Sequence, residues 1–538
     1  MRSTMSHQFS RVPKVNIPRS VFDRSCTRKM TMDAGYLYPM FVDEALPGDT
    51  FKLRTHTFGR FSTPLFPIMD NIFIDIFYFA VPNRLLWENW ERFNGEQDNP
   101  GDSTDFTMPV VVDSPASTYT VAQESLGDYL GLPTQVPLSS EDGVDSGIRS
   151  DWHTAYNLIW NDWFRDENLQ DSVVVDRTDG PHNSADYVLL RRGKRHDYFT
   201  SALPWPQKAP DILLPLGSEA PVLGIGKVNQ NFTGAAANVY ETGQTGTTAY
   251  ALNDNALING GAVDGQFRVE EDPNNAGFPY IRADLSLATA ATINDLREAF
   301  QIQKLFEKDA RGGTRYTEIV RAHFNVVSDD ARLQRPEFLG GGSTRLQFIP
   351  VAQTSESGTT PQGTLTGFAT FAHDGVGFTK SFTEHCVILG LVNVRADLTY
   401  QQGVPRMFSR STRFDFYWPS LAHIGEQEIL SREIYADGSA NDYDPFGYQE
   451  RYAEYRYKNS EVVSLFRSNA TGSLDAWHLS QDFATRPTLS NTFIEDNPPM
   501  DRIVAVPAEP KFIMDMRHEL RCARPMPIYS VPGLIDHF

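Results

Sequence analysis

Cysteine is scarce. The 538 residues contain only Cys26, Cys386 and Cys522, odd in number, far apart and without a C-x-x-C. No disulfide framework or cysteine-based zinc site can be built from them, and free thiols fit a reducing compartment. There is no run of about 20 apolar residues, the length a membrane helix needs. The start, MRSTMSHQFSRVPK, has no apolar leader core, so neither secretion nor membrane insertion is expected.

Catalytic patterns are missing too. No H-E-x-x-H, G-x-S-x-G or EF-hand loop occurs. Gly224-Ile225-Gly226-Lys227 lacks the earlier glycine of a phosphate loop, and Val228 stands where Ser or Thr is needed. Glu384-His385-Cys386 brings reactive types together, but neighbours in a strand point to opposite faces. A buried Cys386 and a satisfied His385 are the simpler reading. Glu426 and Glu428 could share one strand face as a carboxylate pair, the weak basis for a glycosidase. The sequons at Asn231 and Asn469 mean nothing without secretion. No catalytic residue, cofactor or metal is expected.

Positive charge is in deficit, with 48 Lys and Arg against 68 Asp and Glu, net −20. A protein gripping nucleic acid over its whole surface is thereby excluded. The balance is uneven, however. Residues 1–30 hold Arg2, Arg11, Lys14, Arg19, Arg24, Arg28 and Lys29 against one acid, Asp23. Spaced by Pro13 and Pro18, this stretch reads as an extended basic arm. Its seven cations are the candidate nucleic-acid contacts, and a solvated tail is the alternative. A second cluster, Arg191-Arg192-Gly193-Lys194-Arg195-His196, suits either phosphates or acidic partners, and the sequence leaves both open.

Rings are abundant: aromatics make up 12%, with 35 Phe. They suit a large core, extensive subunit contacts, or both. The greasiest stretch is Ile72–Val81, interrupted only by Asp75. Without polar alternation it should be a strand covered on both faces, with Ile72, Ile74, Ile76 and Tyr78 on one side and Phe73, Phe77, Phe79 and Val81 on the other. Pro82 should end it, and Asn83 should cap a helix with Leu86, Trp90 and Phe93 on one stripe. Phe51, Leu53, Thr55 and Thr57 alternate with Lys52, Arg54 and His56, as in a strand with one wet face.

Elsewhere the patterns predict a helix from Ser150 or Asp151 to about Asn168, two strands over 186–200 joined at Gly193, and helices over Ala290–Arg311 and Tyr316–Phe324. A sharp break is expected at Leu339–Ser343, with β patterns in 344–353, 367–378, 385–402 and 414–424. The stretch 217–280 holds ten glycines by Gly277 and few core formers, so it reads as an exposed insertion. The expected fold is mainly β, a sandwich or jelly roll with long inserted loops and a few helices. The divisions are 1–30 arm, 31–216 first part of the sandwich, 217–285 insertion, and 286–538 the remainder. A β-sandwich carbohydrate-active enzyme and a lectin-like module are the rival readings.

Long stretches, among them HQFSRVPKVNIPRSVFDRS (His7–Ser25), DAGYLYPMFVDEALPGDTF (Asp33–Phe51), FPIMDNIFIDIFYFAVPNRLLWENWERFNGE (Phe66–Glu96) and Ala299–Ser343, closely resemble the major capsid protein of gokushovirus-type microviruses, small single-stranded DNA phages. The resemblance implies a single eight-stranded jelly roll in a T=1 icosahedral shell built from pentamers, with an inner surface facing circular single-stranded DNA. It implies that 217–285 protrudes at the threefold axes and meets a host receptor. It also implies scaffolding, spike or pilot, and DNA-packaging partners, assembly in the host bacterial cytoplasm, and no catalytic residue to carry over.

Overall fold

The computed structural model describes residues 18–113, 118–138, 147–210, 212, 222–223, 236–237, 269–270, 282–283, 293–326 and 334–529. Two antiparallel sheets dominate it. Their strands are β1 (Ser20–Asp23), β2 (Cys26–Met32), β3 (Tyr38–Ala45), β4 (Thr50–Phe61), β5 (Ile72–Pro82), β6 (Glu337–Arg345), β7 (Gln347–Ala352), β8 (Leu365–Ser381), β9 (Cys386–Ala396) and β10 (Phe512–Arg524). One sheet runs β6-β5-β9-β3. The other carries β1 and β2 end to end along one edge of β10, followed by β4, β8 and β7.

The two sheets share one core. Ile72, Ile74, Ile76 and Tyr78 of β5 pack against Phe51, Leu53, Phe512, Met514 and Met516 of the other sheet. Its few polar groups find each other across the gap. Thr55 Oγ1 lies 2.5 Å from the Tyr78 hydroxyl and 2.9 Å from Nδ1 of buried His518. Of the eight principal strands, β2, β4, β8 and β10 belong to the six-stranded sheet and β3, β5, β6 and β9 to the four-stranded one. The fold is a jelly roll, to whose six-stranded sheet β1 and β7 add at opposite edges.

The faces away from this core differ, and the sequence records the difference. The four-stranded sheet is covered outside by helix α1 (Asp151–Ile159), whose Tyr156 and Ile159 join Phe79, Val81, Leu389 and Leu391 in a second core. Both faces of β5 and β9 are therefore dry, and neither strand alternates. Among the described residues the six-stranded sheet has no such cover along β4 and β10, and there buried and exposed residues alternate. A third, smaller core holds Tyr198, Phe199, Tyr400, Ile429 and Phe446.

Several expectations fail for identifiable reasons. Leu339–Ser343 is no break but the middle of β6, paired with β5. Its glycines are required by crowding: a Cβ on Gly340 would sit 2.7 Å from the Gly377 carbonyl oxygen, and one on Gly342 2.8 Å from the His373 ring. Residues 186–200 form no strands, only isolated bridges from Arg191 to Tyr36 and from Gly193 to Glu495. The aromatic stretch 414–424 holds two 3-10 turns, Arg413–Asp415 and Pro419–Leu421, in place of the expected strand. Asn83 caps nothing; it opens the 3-10 turn Asn83–Leu85, and a separate helical turn follows at Trp90–Phe93. Helix α1 passes into a π turn ending at Phe164. Helices α2 (Ile293–Arg311) and α3 (Tyr316–Phe324) form where expected. Thr292, the expected cap of α2, lies outside the described residues.

The chain divides into two compact units, Met1–Pro206 with Asp309–Phe538, and Gln207–Lys308. In the second, Val222–Leu223 pairs with Arg282–Ala283 and Ala236–Ala237 with Val269–Glu270. The rest of the 217–285 insertion lies outside the described residues.

Two buried histidines make stability pH-dependent. Burial pushes both His153 and His518 down to about 4, whereas in the unfolded chain they titrate near 6.5. The native state thus binds fewer protons than the unfolded one between these values. Their contribution is full above about pH 6.5 and is lost as pH falls through about 4. The unfolding midpoint should drop over that window, and His153→Gln with His518→Gln should flatten the drop. An unchanged slope in the double variant would sink this account.

Candidate nucleic-acid and assembly surfaces

The residues singled out for reactivity are engaged elsewhere. Glu384 pairs with Arg84 at 2.9 Å, and the His385 ring packs edge-on against Trp90. Cys386 is buried, and burial pushes its thiol up to about 12, which keeps it protonated and unreactive. Glu426 and Glu428 lie on the hairpin Glu426–Leu430 with Pro445–Glu450. Both line one open pocket with Arg406 and Arg451, but the Glu426 side chain is only 1% exposed and pairs with Arg311, while Glu428 faces solvent. Gly224–Lys227 and Asn231 lie outside the described residues. Among the described residues, no group of three or more His, Cys, Asp or Glu is placed to hold a metal ion.

The cluster Arg191–His196 turns inward, and its acidic partners belong to the same chain. Arg192 donates to Asp75 Oδ2 at 2.7 Å, and Arg395 Nε lies 2.7 Å from the same oxygen. Arg191 donates to the Asp496 carbonyl oxygen at 3.0 Å and stacks 4.0 Å above the Tyr36 ring. Arg195 donates to Asp397 at 2.9 Å. Lys194 is buried beneath the Phe493 ring, and burial pushes it down to about 8. Burial likewise pushes the Asp496 carboxyl up to about 7, against the opposing pull of Lys194 and the neighbouring arginines. Only His196 of the cluster stays exposed.

Of the seven candidate nucleic-acid contacts, the four among the described residues are not brought together as one group. Arg2, Arg11 and Lys14 lie outside the described residues, and Arg19 is exposed. From Ser20 the chain is sheet: β1 and β2 both pair with β10, burying Met30 and Met32. Arg24 makes a two-pronged pair with Asp43 at 2.7 and 2.9 Å. Arg28 donates to the Tyr129 carbonyl oxygen, and burial lowers its pKa. Lys29 remains outside, 3.6 Å from Asp515, which also faces solvent.

Lys29 shares its face with basic residues that the arm reading missed. Lys52, Arg54 and Arg60 of β4 and Arg517 and Arg521 of β10 are exposed on the outer side of the six-stranded sheet. Acids on this face are Asp23, Asp374, Asp515 and Glu519. Exposed Phe58, Phe368 and Ile513 lie between the charges. His56 bridges two of the acids, 3.0 Å from Asp374 and 3.7 Å from Glu519. Alternation in KLRTHTFGR exposes the β4 set. The same alternation in FIMDMRHELRCAR, Phe512–Arg524, is the signal that marks β10.

A jelly roll with one helix-covered sheet and one cation-bearing sheet defines the class of sandwich subunit, a fold shared by viral coat proteins, lectins and cupins. The comparisons with known proteins agree. The chain belongs to the phage capsid protein (F protein) family, which it matches over residues 10–534. It is 46% identical to capsid protein VP1 of Bdellovibrio phage phiMH2K, over 99% of this chain and 98% of that protein. Identity is 42% to capsid protein VP1 of Chlamydia phage 1, over 99% and 98%. It is 35% to capsid protein VP1 of Spiroplasma virus 4, over 98% and 97%.

Breaking the buried pairs should be expensive. Asp75→Asn leaves two guanidinium groups without their carboxylate and is expected to cost about 3–5 kcal/mol of unfolding free energy. Lys29→Ala, which removes a solvent-exposed pair, should cost under about 1 kcal/mol. Urea unfolding of both variants checks this, and near-equal midpoints would refute the ranking.

Proposed function

We propose that the chain is the repeating subunit of a closed T=1 icosahedral shell, built from pentamers, around circular single-stranded DNA. The bare outer face of the six-stranded sheet carries this reading. It sets Lys29, Lys52, Arg54, Arg60, Arg517 and Arg521 on a chain of net charge −20. Alternate residues in a strand repeat about every 6.7 Å, so these cations form a two-dimensional lattice on a rigid support. Phosphates bind such a lattice without reading sequence, and Phe58 and Phe368 offer surfaces for base stacking. The arm, with Arg2, Arg11, Lys14 and Arg19, leads into β1 at the edge of this face and adds further charge. We assign both to the shell's interior. A structural role, with no turnover of substrate, follows from this reading. The protein sits in the virion after assembly in the host bacterial cytoplasm, where scaffolding, spike or pilot and packaging proteins meet it. Residues 217–285 form the outward protrusion that meets the host receptor.

Two experiments test this. Lys52→Ala, Arg54→Ala, Arg517→Ala and Arg521→Ala together should reduce the log–log salt slope of single-stranded DNA binding by about 3, at about 0.7 for each phosphate no longer neutralised. Deleting 2–17 should lower it further while sparing β1 and β2. An unchanged slope in both variants would remove the interior assignment. Shortening 217–285 should leave shells intact but reduce host attachment, and loss of shells would refute the peripheral role.

A further inference from the structure

The largest concentration of exposed rings lies on the loops between β9 and β10. Phe408, Phe414, Phe416, Tyr417 and Trp418 are all exposed, Phe408 at 73%. They are held in place by their neighbours. Arg410 is sandwiched between Tyr455 at 4.2 Å and Phe416 at 5.5 Å. Tyr417 packs edge-on against Tyr452 at 5.3 Å, and the Tyr452 hydroxyl donates to the Phe414 carbonyl oxygen. The Trp418 indole donates to the Arg413 carbonyl oxygen at 2.8 Å, and the Arg413 guanidinium lies 5.2 Å above that ring. Beside Arg410 opens a cavity of about 130 Å³, walled by Tyr198, Phe199, Tyr400 and Tyr457. A space of that order admits one six-membered ring. Pre-organised Trp, Tyr and Arg beside a ring-sized pocket are the composition of binding hot spots, and contiguous exposed rings mark interaction surfaces.

Charge narrows the occupant. Residues 404–424 hold Arg406, Arg410 and Arg413 against Asp415, and the question is which of these cations is left unpaired. Arg406 and Arg410 are paired with Glu433 and Glu454. Arg413 is exposed and has no carboxylate partner among the described residues. The strongest opposite charge is the run 88–105, where Glu88, Glu91, Glu96, Asp98, Asp102 and Asp105 face a single Arg92. That run is exposed almost throughout and carries an apolar anchor of its own, Phe93, 39% exposed. Among the described residues no hydrogen bond or ion pair joins the two segments within one chain.

We propose that the aromatic patch around Phe408, Arg413 and Trp418 is the docking site for a second copy of this chain, which presents its acidic 88–105 run. The inference rests on the shell reading above and gives that reading its contact. Because two different surfaces meet, the contact is heterologous and repeats around a ring until it closes.

The test uses the full chain co-expressed with its virion partners, with particles scored by sedimentation and negative-stain microscopy. Phe408→Ser with Phe414→Ser, and separately Arg413→Glu, should lower shell yield at least about tenfold, the effect of removing one hot-spot anchor. Circular dichroism and melting temperature should stay at wild-type values. Adding Glu91→Arg and Glu96→Arg to Arg413→Glu should restore most of the yield. Shells at wild-type yield from the first two variants would overturn the proposal, including when those shells merely lack another virion protein. Failure of the charge exchange to restore a folded Arg413→Glu chain would also overturn it. If the wild-type chain itself never forms shells, the shell reading falls instead, which is a distinguishable result.

Discussion

One buried carboxylate organises the middle of this molecule. Asp75 interrupts an otherwise apolar strand at the centre of a sheet that is dry on both faces. A lone carboxylate there would be expelled or neutralised. It persists because Arg192 and Arg395 close on it at 2.7 Å each. Arg192 stacks at the same time on Phe77, 4.9 Å away, so its charge and its planar face are both used. Removing the pair is not equivalent to never having had it. Apolar replacements can pack as stably, but an unpaired member is costly. The network fixes which loop lies over the sheet. Arg191 and Lys194 reach the 493–496 segment, Arg195 reaches Asp397, and long connections without regular structure are pinned by direction-specific bonds.

That arrangement also explains how much of the fold is legible in the sequence. Burial on both faces of β5 can be read from its missing alternation, and the wet face of β4 from its presence. Both signals are local, with a period of two residues. The triple glycine misleads because its local meaning, a turn, is overridden by crowding from Gly377, Ile76 and His373, which are distant in sequence. Residues 414–424 mislead for a related reason. Rings every second position suggest a strand, but these rings are stacked on arginines at the surface and belong to no ladder. The cluster at 191–196 cannot be resolved from sequence at all, since Asp75, Asp397 and Asp496 lie about 100 to 300 residues away. Of the basic arm, the residues from Ser20 on are tied into the sheet, and the cations beside them come from β4 and β10.

The two sheets therefore have different work. Covering the four-stranded sheet with α1 and its loops places the dense, ordered core on one side. Leaving the six-stranded sheet bare exposes a rigid surface whose side chains are set by strand register. A flexible basic tail can neutralise phosphate, but it orders itself at an entropic cost on every contact. Cations on a sheet have lost most of that freedom already, when the sheet folds.

The distribution of charge then follows from the needs of a closed shell. A chain of net −20 repels its copies at long range, so assembly requires contacts that overcome the repulsion locally. Segregating charge achieves this without altering the total. The outer face of the six-stranded sheet carries six cations among four acids, and acids gather on runs such as 88–105. On the proposed reading, a polyanion and a neighbouring subunit are attracted to separate faces. Rings at the proposed loop contact would exclude water and strengthen the ionic attraction there. On the proposed reading, assembly and genome binding would be coupled through electrostatics, and no residue would have to change its chemistry for either.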